Sequence, residues 1–100
     1  MTMPVPLRDL VNQKRDQIRV IAEQYGATNV RLFGSAARGE DHHESDVDLL
    51  VDLTRSWSLL DHIAMQQDLE DLLGCRVDLI VASALKDHVR DSTLTQAIPL

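Results

Sequence analysis

A single cysteine, Cys75, rules out an intramolecular disulfide. No apolar run approaches the roughly 18 residues of a membrane-crossing helix. The opening Met-Thr-Met-Pro-Val-Pro-Leu-Arg has no charged segment followed by an apolar one, so no signal peptide is expected. These absences predict a cytoplasmic protein. Basic residues are also scarce: 10 Lys and Arg stand against 16 Asp and Glu, a formal charge of -6. Such a chain repels a phosphate backbone, which argues against a nucleic-acid substrate. There is no internal repeat and no low-complexity linker, and 100 residues suit one domain spanning residues 1–100. Folding at this size buries only a little more than ~60% of the unfolded surface, leaving little material for a lid or a separate substrate domain. Whatever completes an active site is expected from a partner.

The chain does carry strong periodicity. Leu7, Leu10, Val11, Ile18, Ile21, Ala22 and Tyr25 recur at three- and four-residue intervals, predicting one helical stripe that begins after Pro6. Val30 to Phe33 is short and β-favouring, and it runs at once into Gly34-Ser35-Ala36-Ala37-Arg38-Gly39, a strand, tight turn and short helix. From Asp46 to Leu53 the residues alternate. Val47, Leu49, Val51 and Leu53 share one face, while Asp46, Asp48, Leu50 and Asp52 share the other. Ser58 with Asp61 has the spacing of a capping box, and an apolar-faced helix should follow and end at Gly74. Val77, Leu79 and Val81 alternate in a third strand, and Ser83 is placed to cap a final helix through about Gln96. The expected architecture is α/β: a small mixed sheet of three or more strands flanked by helices, in the order αβαβαβα.

Two carboxylates on one strand face, two residues apart, have Cα atoms about 6.5–7 Å apart. Asp46 and Asp48 so placed suit a pair of magnesium ions about 3.5–4 Å apart, with phosphate oxygens filling each coordination shell. An isolated Asp-x-Asp is more often the solvated face of an edge strand. Here the Gly34-Ser35 turn precedes it, and backbone N–H groups with a hydroxyl are a ready phosphate holder. Asp is also a poor strand former, so repeating it between apolar residues carries a propensity cost that needs a reason. Asp78, near the start of another strand, is positioned to complete an acidic cluster.

Gly34-Ser35, ten residues, then Asp46-Val47-Asp48 resembles the signature of the DNA polymerase β-like nucleotidyltransferase superfamily. The fuller strings Phe-Gly-Ser-Ala-Ala-Arg-Gly, Ser-Asp-Val-Asp-Leu-Leu-Val and Arg-Val-Asp-Leu-Ile-Val resemble its minimal nucleotidyltransferase (MNT) branch, antitoxins paired with HEPN-domain toxins. The resemblance implies that Asp46 and Asp48 ligate two Mg2+ ions, and that Asp78 ligates one while helping to deprotonate an acceptor hydroxyl. It implies that Gly34 and Ser35 hold the terminal phosphates of ATP. It also implies AMP transfer to a hydroxyl, that of a tyrosine, of a HEPN ribonuclease toxin, within a hetero-oligomer of the two. The family position after Gly-Ser is often Arg, and here it is Ala36; Arg38 is the cation available to compensate, unless it pairs with Glu40 or Asp41. The alternative is a non-catalytic antitoxin that neutralises the toxin by occlusion. Transfer to a small molecule fits less well, because such relatives carry an added helical domain.

The remaining candidates have bland readings beside the functional ones. His42 and His43 lie between the turn and the acidic strand, where adjacent histidines are usually solvated. His62, Gln66 and Glu70 form a row that is either a partner surface or the margin of the core. Trp57 anchors an interface or edges the core, and Cys75 reads as an inert strand-edge residue.

Overall fold

The computed structural model describes residues 6–37, 46–85 and 97–100. The amphipathic N-terminal stripe forms two helices, α1 (Leu7–Gln13) and α2 (Arg15–Gln24). Pro6 precedes the first, its fixed φ suiting a helix start, and its carbonyl accepts the Leu10 N–H at 3.0 Å. The expected single helix is interrupted at Lys14, whose N–H is shared between the carbonyls of Leu10 and Val11. The stripe survives the break, since Val11, Ile18 and Ala22 are all buried.

Four strands follow in the sheet order β3-β2-β1-β4: β1 (Ala27–Phe33), β2 (Val47–Leu53), β3 (Val77–Val81) and β4 (Ile98–Pro99). Between β1 and β2 lies a one-turn helix, α3 (Gly34–Ala37), and between β2 and β3 lies α4 (Leu59–Leu73). Strands β1 and β2 are antiparallel, β2 and β3 parallel, and β4 runs antiparallel to β1. The sheet is therefore mixed, as expected. The crossover through α4 is what allows the parallel pair.

The alternation in β2 divides the sheet into two faces. Leu32, Leu49 and Leu79 stand in one row across β1, β2 and β3, with the Val47–Val77 and Val51–Val81 pairs on either side. Met65, Leu69 and Leu73, spaced four apart on α4, join this face with Ile18 and Ala22 of α2 to form the core. Helix α4 starts on the predicted capping box: Ser58 Oγ accepts from the Asp61 N–H and Asp61 Oδ2 from the Ser58 N–H. It ends on Gly74 in the left-handed conformation.

The opposite face carries Phe33, Asp48 and Asp78 in one row and Arg31, Leu50 and Ile80 in the next. Leu50 is fully buried there, and a 3₁₀ turn (Ala82–Ala84) packs against β2. Beyond Leu50, the Arg31 guanidinium forks onto Asp52 at 3.2 and 3.3 Å, and the Asn29 side chain donates to the same carboxylate at 2.9 Å. Asn29, at φ 52°, sits where the β1–β2 register slips. Ser83 lies within the 3₁₀ turn and caps no helix among the described residues; the rest of the expected final helix lies outside them. No described helix is long and apolar enough to cross a membrane.

Candidate nucleotide and metal site

The site is built where β1 ends. Phe33, its last residue, is opposite Asp48, so the chain leaves the sheet directly beside that carboxylate. Gly34 makes the departure with φ +76°, a region that side-chain-bearing residues rarely enter. A Cβ at Gly34 would overlap the Asp48 Oδ2 and stand 3.1 Å from its Cγ. The turn backbone thus lies flat against the carboxylate. Ser35 follows in the first turn of α3.

On its other side Asp48 is paired in register with Asp78 of β3. Neighbouring strands lie about 4.8 Å apart, so two acidic residues face each other across the parallel pair. Asp46, exposed just before β2, is two residues from Asp48 and shares its side of the strand. The three predicted aspartates and the Gly-Ser turn therefore meet at one sheet end, with Asp48 between the turn and Asp78. Arg38, His42 and His43 lie outside the described residues.

Among the described residues, no three carboxylate, imidazole or thiol groups converge as a ready-made ion cage. The donor chemistry still fits magnesium, which takes hard oxygens and is commonly held by one or two carboxylates while substrate phosphates complete its shell. Asp46 and Asp48 supply that donor type beside a turn able to receive phosphate.

Two residues that support this geometry were not anticipated from sequence. Glu70 of α4 accepts the Val77 N–H through Oε2 at 3.0 Å, while the carbonyl of Arg76 accepts the Val47 N–H at 2.9 Å. The segment entering β3 is thereby fastened to α4 on one side and to β2 on the other, one residue before Asp78. Arg8 of α1 donates to the Ala37 carbonyl at 3.1 Å and so fixes the far end of α3. Cys75, in the same α4–β3 segment, has its thiol pushed up from the ordinary value by burial and then by the carboxylates of Asp46 and Glu70. That direction opposes a nucleophilic role.

Glu70 can be tested directly. In Glu70→Ala a partly buried N–H loses its acceptor, a cost of about 1–3 kcal/mol. Nucleotidyl transfer, the activity the motif resemblance implies, should fall about tenfold as Asp78 drifts from Asp48, in line with the sensitivity of catalysis to small displacements. Glu70→Gln keeps an acceptor oxygen and should restore most of both. Thermal melts and transfer rates for the two variants check this; a fully active Glu70→Ala would show that the fastening does not govern the site.

Residues 14–100 match the nucleotidyltransferase domain family. The protein adenylyltransferase MntA of Thermococcus cleftensis is 41% identical over 78 residues, covering 78% of this chain and 79% of that protein. A solved structure of a minimal nucleotidyltransferase superposes with a TM-score of 0.86 at 38% identity, covering 99% of this chain and all of that one. A toxin–antitoxin crystal structure with AMP-PNP shares the fold at 22% identity, with a TM-score of 0.73 over 84% of this chain and 69% of that one.

Proposed function

The chain belongs to the nucleotidyltransferase domain family, and on that premise we propose that it transfers AMP from magnesium-bound ATP to a tyrosine hydroxyl on a cognate HEPN-domain ribonuclease toxin and thereby silences it. The observation that carries this reading is the position of Asp48, held against the Gly34 backbone and in register with Asp78. The protein adenylyltransferase name of the Thermococcus relative supports AMP as the transferred group and protein as the acceptor.

In this reading Asp46, Asp48 and Asp78 would hold the Mg2+ ions. Bound magnesium would neutralise triphosphate charge and favour ionisation of the acceptor hydroxyl. The turn at Gly34 and Ser35 receives the terminal phosphates, through its backbone N–H groups and, by the motif, the serine hydroxyl, with Arg38, three residues further along the sequence, as the assigned cation. Asp78 accepts the hydroxyl proton. The acceptor oxygen bonds to the α-phosphorus in line as the bond from that phosphorus to the pyrophosphate oxygen breaks. The protein supplies orientation and charge placement and forms no covalent intermediate.

The test is incubation of the protein with α-labelled ATP, magnesium and the HEPN-domain product of the neighbouring gene. Label should appear on that product and map to a hydroxyl side chain, and its ribonuclease activity should fall in step. Metal-replete, folded protein that leaves the product unlabelled would overturn the reading.

A further inference from the structure

Of the large hydrophobic residues that are exposed among the described residues, three lie within the first two turns of α4: Leu59 at 74%, Leu60 at 76% and Ile63 at 54%. Spacings of three and four residues place them on one contiguous helix face. The core is served from the other side of the same helix by Met65, Leu69 and Leu73. The apolar patch therefore contributes nothing to the interior, and its exposure costs solubility unless something covers it.

We propose that this patch is the docking surface for the acceptor protein, and that its occupant is an apolar surface bordered by lysines or arginines. The identity of the occupant as the acceptor rests on the function proposed above. Its chemistry is argued from charge. Helix α4 carries Asp61, Asp68, Glu70 and Asp71 and not one Lys or Arg, in a chain of net charge -6. A second copy seated on the patch would bring two such acidic helices together, and nucleic acid or an anionic lipid surface would be repelled in the same way. A basic protein is the complementary partner. A ribonuclease meets that requirement, because it must carry cationic side chains to hold an RNA backbone.

The surface is also pre-organised. The reciprocal Ser58–Asp61 hydrogen bonds hold the first turn in place, and the Trp57 and His62 rings lie with centroids 5.3 Å apart at its base. Backbone freedom in this first turn is thereby limited before association, which lowers the ordering cost of binding.

The patch is separate from the chemistry. Helix α4 starts beyond the Leu53 end of β2, whereas Asp46 and Asp48 lie at its beginning. Strand rise puts Asp48 and Leu53 about 17 Å apart. Docking there should govern affinity for the acceptor and leave the chemical step alone.

The experiment uses the double variant Leu60→Ser/Ile63→Ser, both at exposed positions, with the HEPN-domain protein of the neighbouring gene as probe. Direct binding is measured by calorimetry, and labelling is measured against acceptor concentration. Binding should weaken at least tenfold; KM for the acceptor should rise to match, with kcat and KM for ATP unchanged, and added salt should weaken binding to the unmodified protein. Equal affinity of variant and unmodified protein overturns the proposal, as does absence of any binding. A sedimentation result in which the unmodified protein is a dimer and the variant a monomer also overturns it, in favour of a second copy. Binding that weakens as expected while the acceptor is never labelled supports the docking surface and counts against adenylyl transfer alone.

Discussion

Asp48→Asn should lower nucleotidyl transfer about a thousandfold, the scale seen when one group that stabilises a transition state is removed, while leaving the melting temperature almost unchanged. The replacement keeps the shape of the side chain and one carbonyl acceptor, so the contact with the Gly34 turn is preserved. It removes one of two facing acidic residues, Asp48 and Asp78, and like charges directly opposed on adjacent strands are destabilising. What is lost is a charged hard-oxygen donor of the kind magnesium takes, which a neutral amide replaces poorly. Asp52→Asn provides the contrast. Asp52 is on the same strand face, but it is gripped by Arg31 and Asn29. That variant should melt lower, since the nearly buried Arg31 loses its ion pair, and should transfer at close to the normal rate. Single-turnover labelling well below both melting points distinguishes the two. Asp48→Asn retaining a tenth of normal activity, or Asp52→Asn losing as much as Asp48→Asn, would remove Asp48 from its assigned role. Asp48→Asn protein that no longer labels the proposed acceptor yet still silences it would make occlusion the operative mechanism.

Much of this arrangement is legible in the amino-acid sequence. Period-two alternation separated Val47, Leu49, Val51 and Leu53 from Asp48, Leu50 and Asp52, and the sheet has those two faces. The capping box at Ser58 and the stop at Gly74 are local patterns whose causes lie within a few residues, so they read cleanly. Strand pairing was not readable, because the Asp48–Asp78 register depends on how α4 packs and where the Glu70–Val77 hydrogen bond fastens the return. The Arg8–Ala37 contact joins residues 29 positions apart and leaves no periodic trace. Strand β4 escaped notice since Ile98–Pro99 is too short for alternation, and proline argues against a strand except at an edge, where it lies. The break at Lys14 has no Pro or Gly to announce it; the apolar stripe simply runs through both helices.

Gly34→Ala tests whether the close approach of turn and carboxylate matters, and Gly74→Ala is its matched control. Both glycines have positive φ, +76° and +69°, so each substitution incurs the left-handed penalty of about 1–2 kcal/mol. The two differ in what the new methyl meets. At Gly74 nothing lies within 4 Å, whereas at Gly34 the methyl would collide with the Asp48 carboxylate. Relief requires either the turn to lift away from β2 or Asp48 to rotate toward Asp78. Either movement separates the phosphate-receiving backbone from its acidic counterpart, and a displacement of about 1 Å at such a site can cost about a hundredfold in rate. Gly74→Ala should therefore lose stability and keep its rate, while Gly34→Ala should lose a comparable amount of stability and about a hundredfold in transfer. The loss should reside in kcat and in affinity for the nucleotide, leaving affinity for the acceptor protein intact, because the exposed start of α4 is untouched. Melting curves, nucleotide titrations and acceptor binding for the pair separate these effects. Equal activity of the two variants would show that Asp48 can leave its place beside Gly34 without consequence, and the turn would then have to act on the substrate independently of the aspartates.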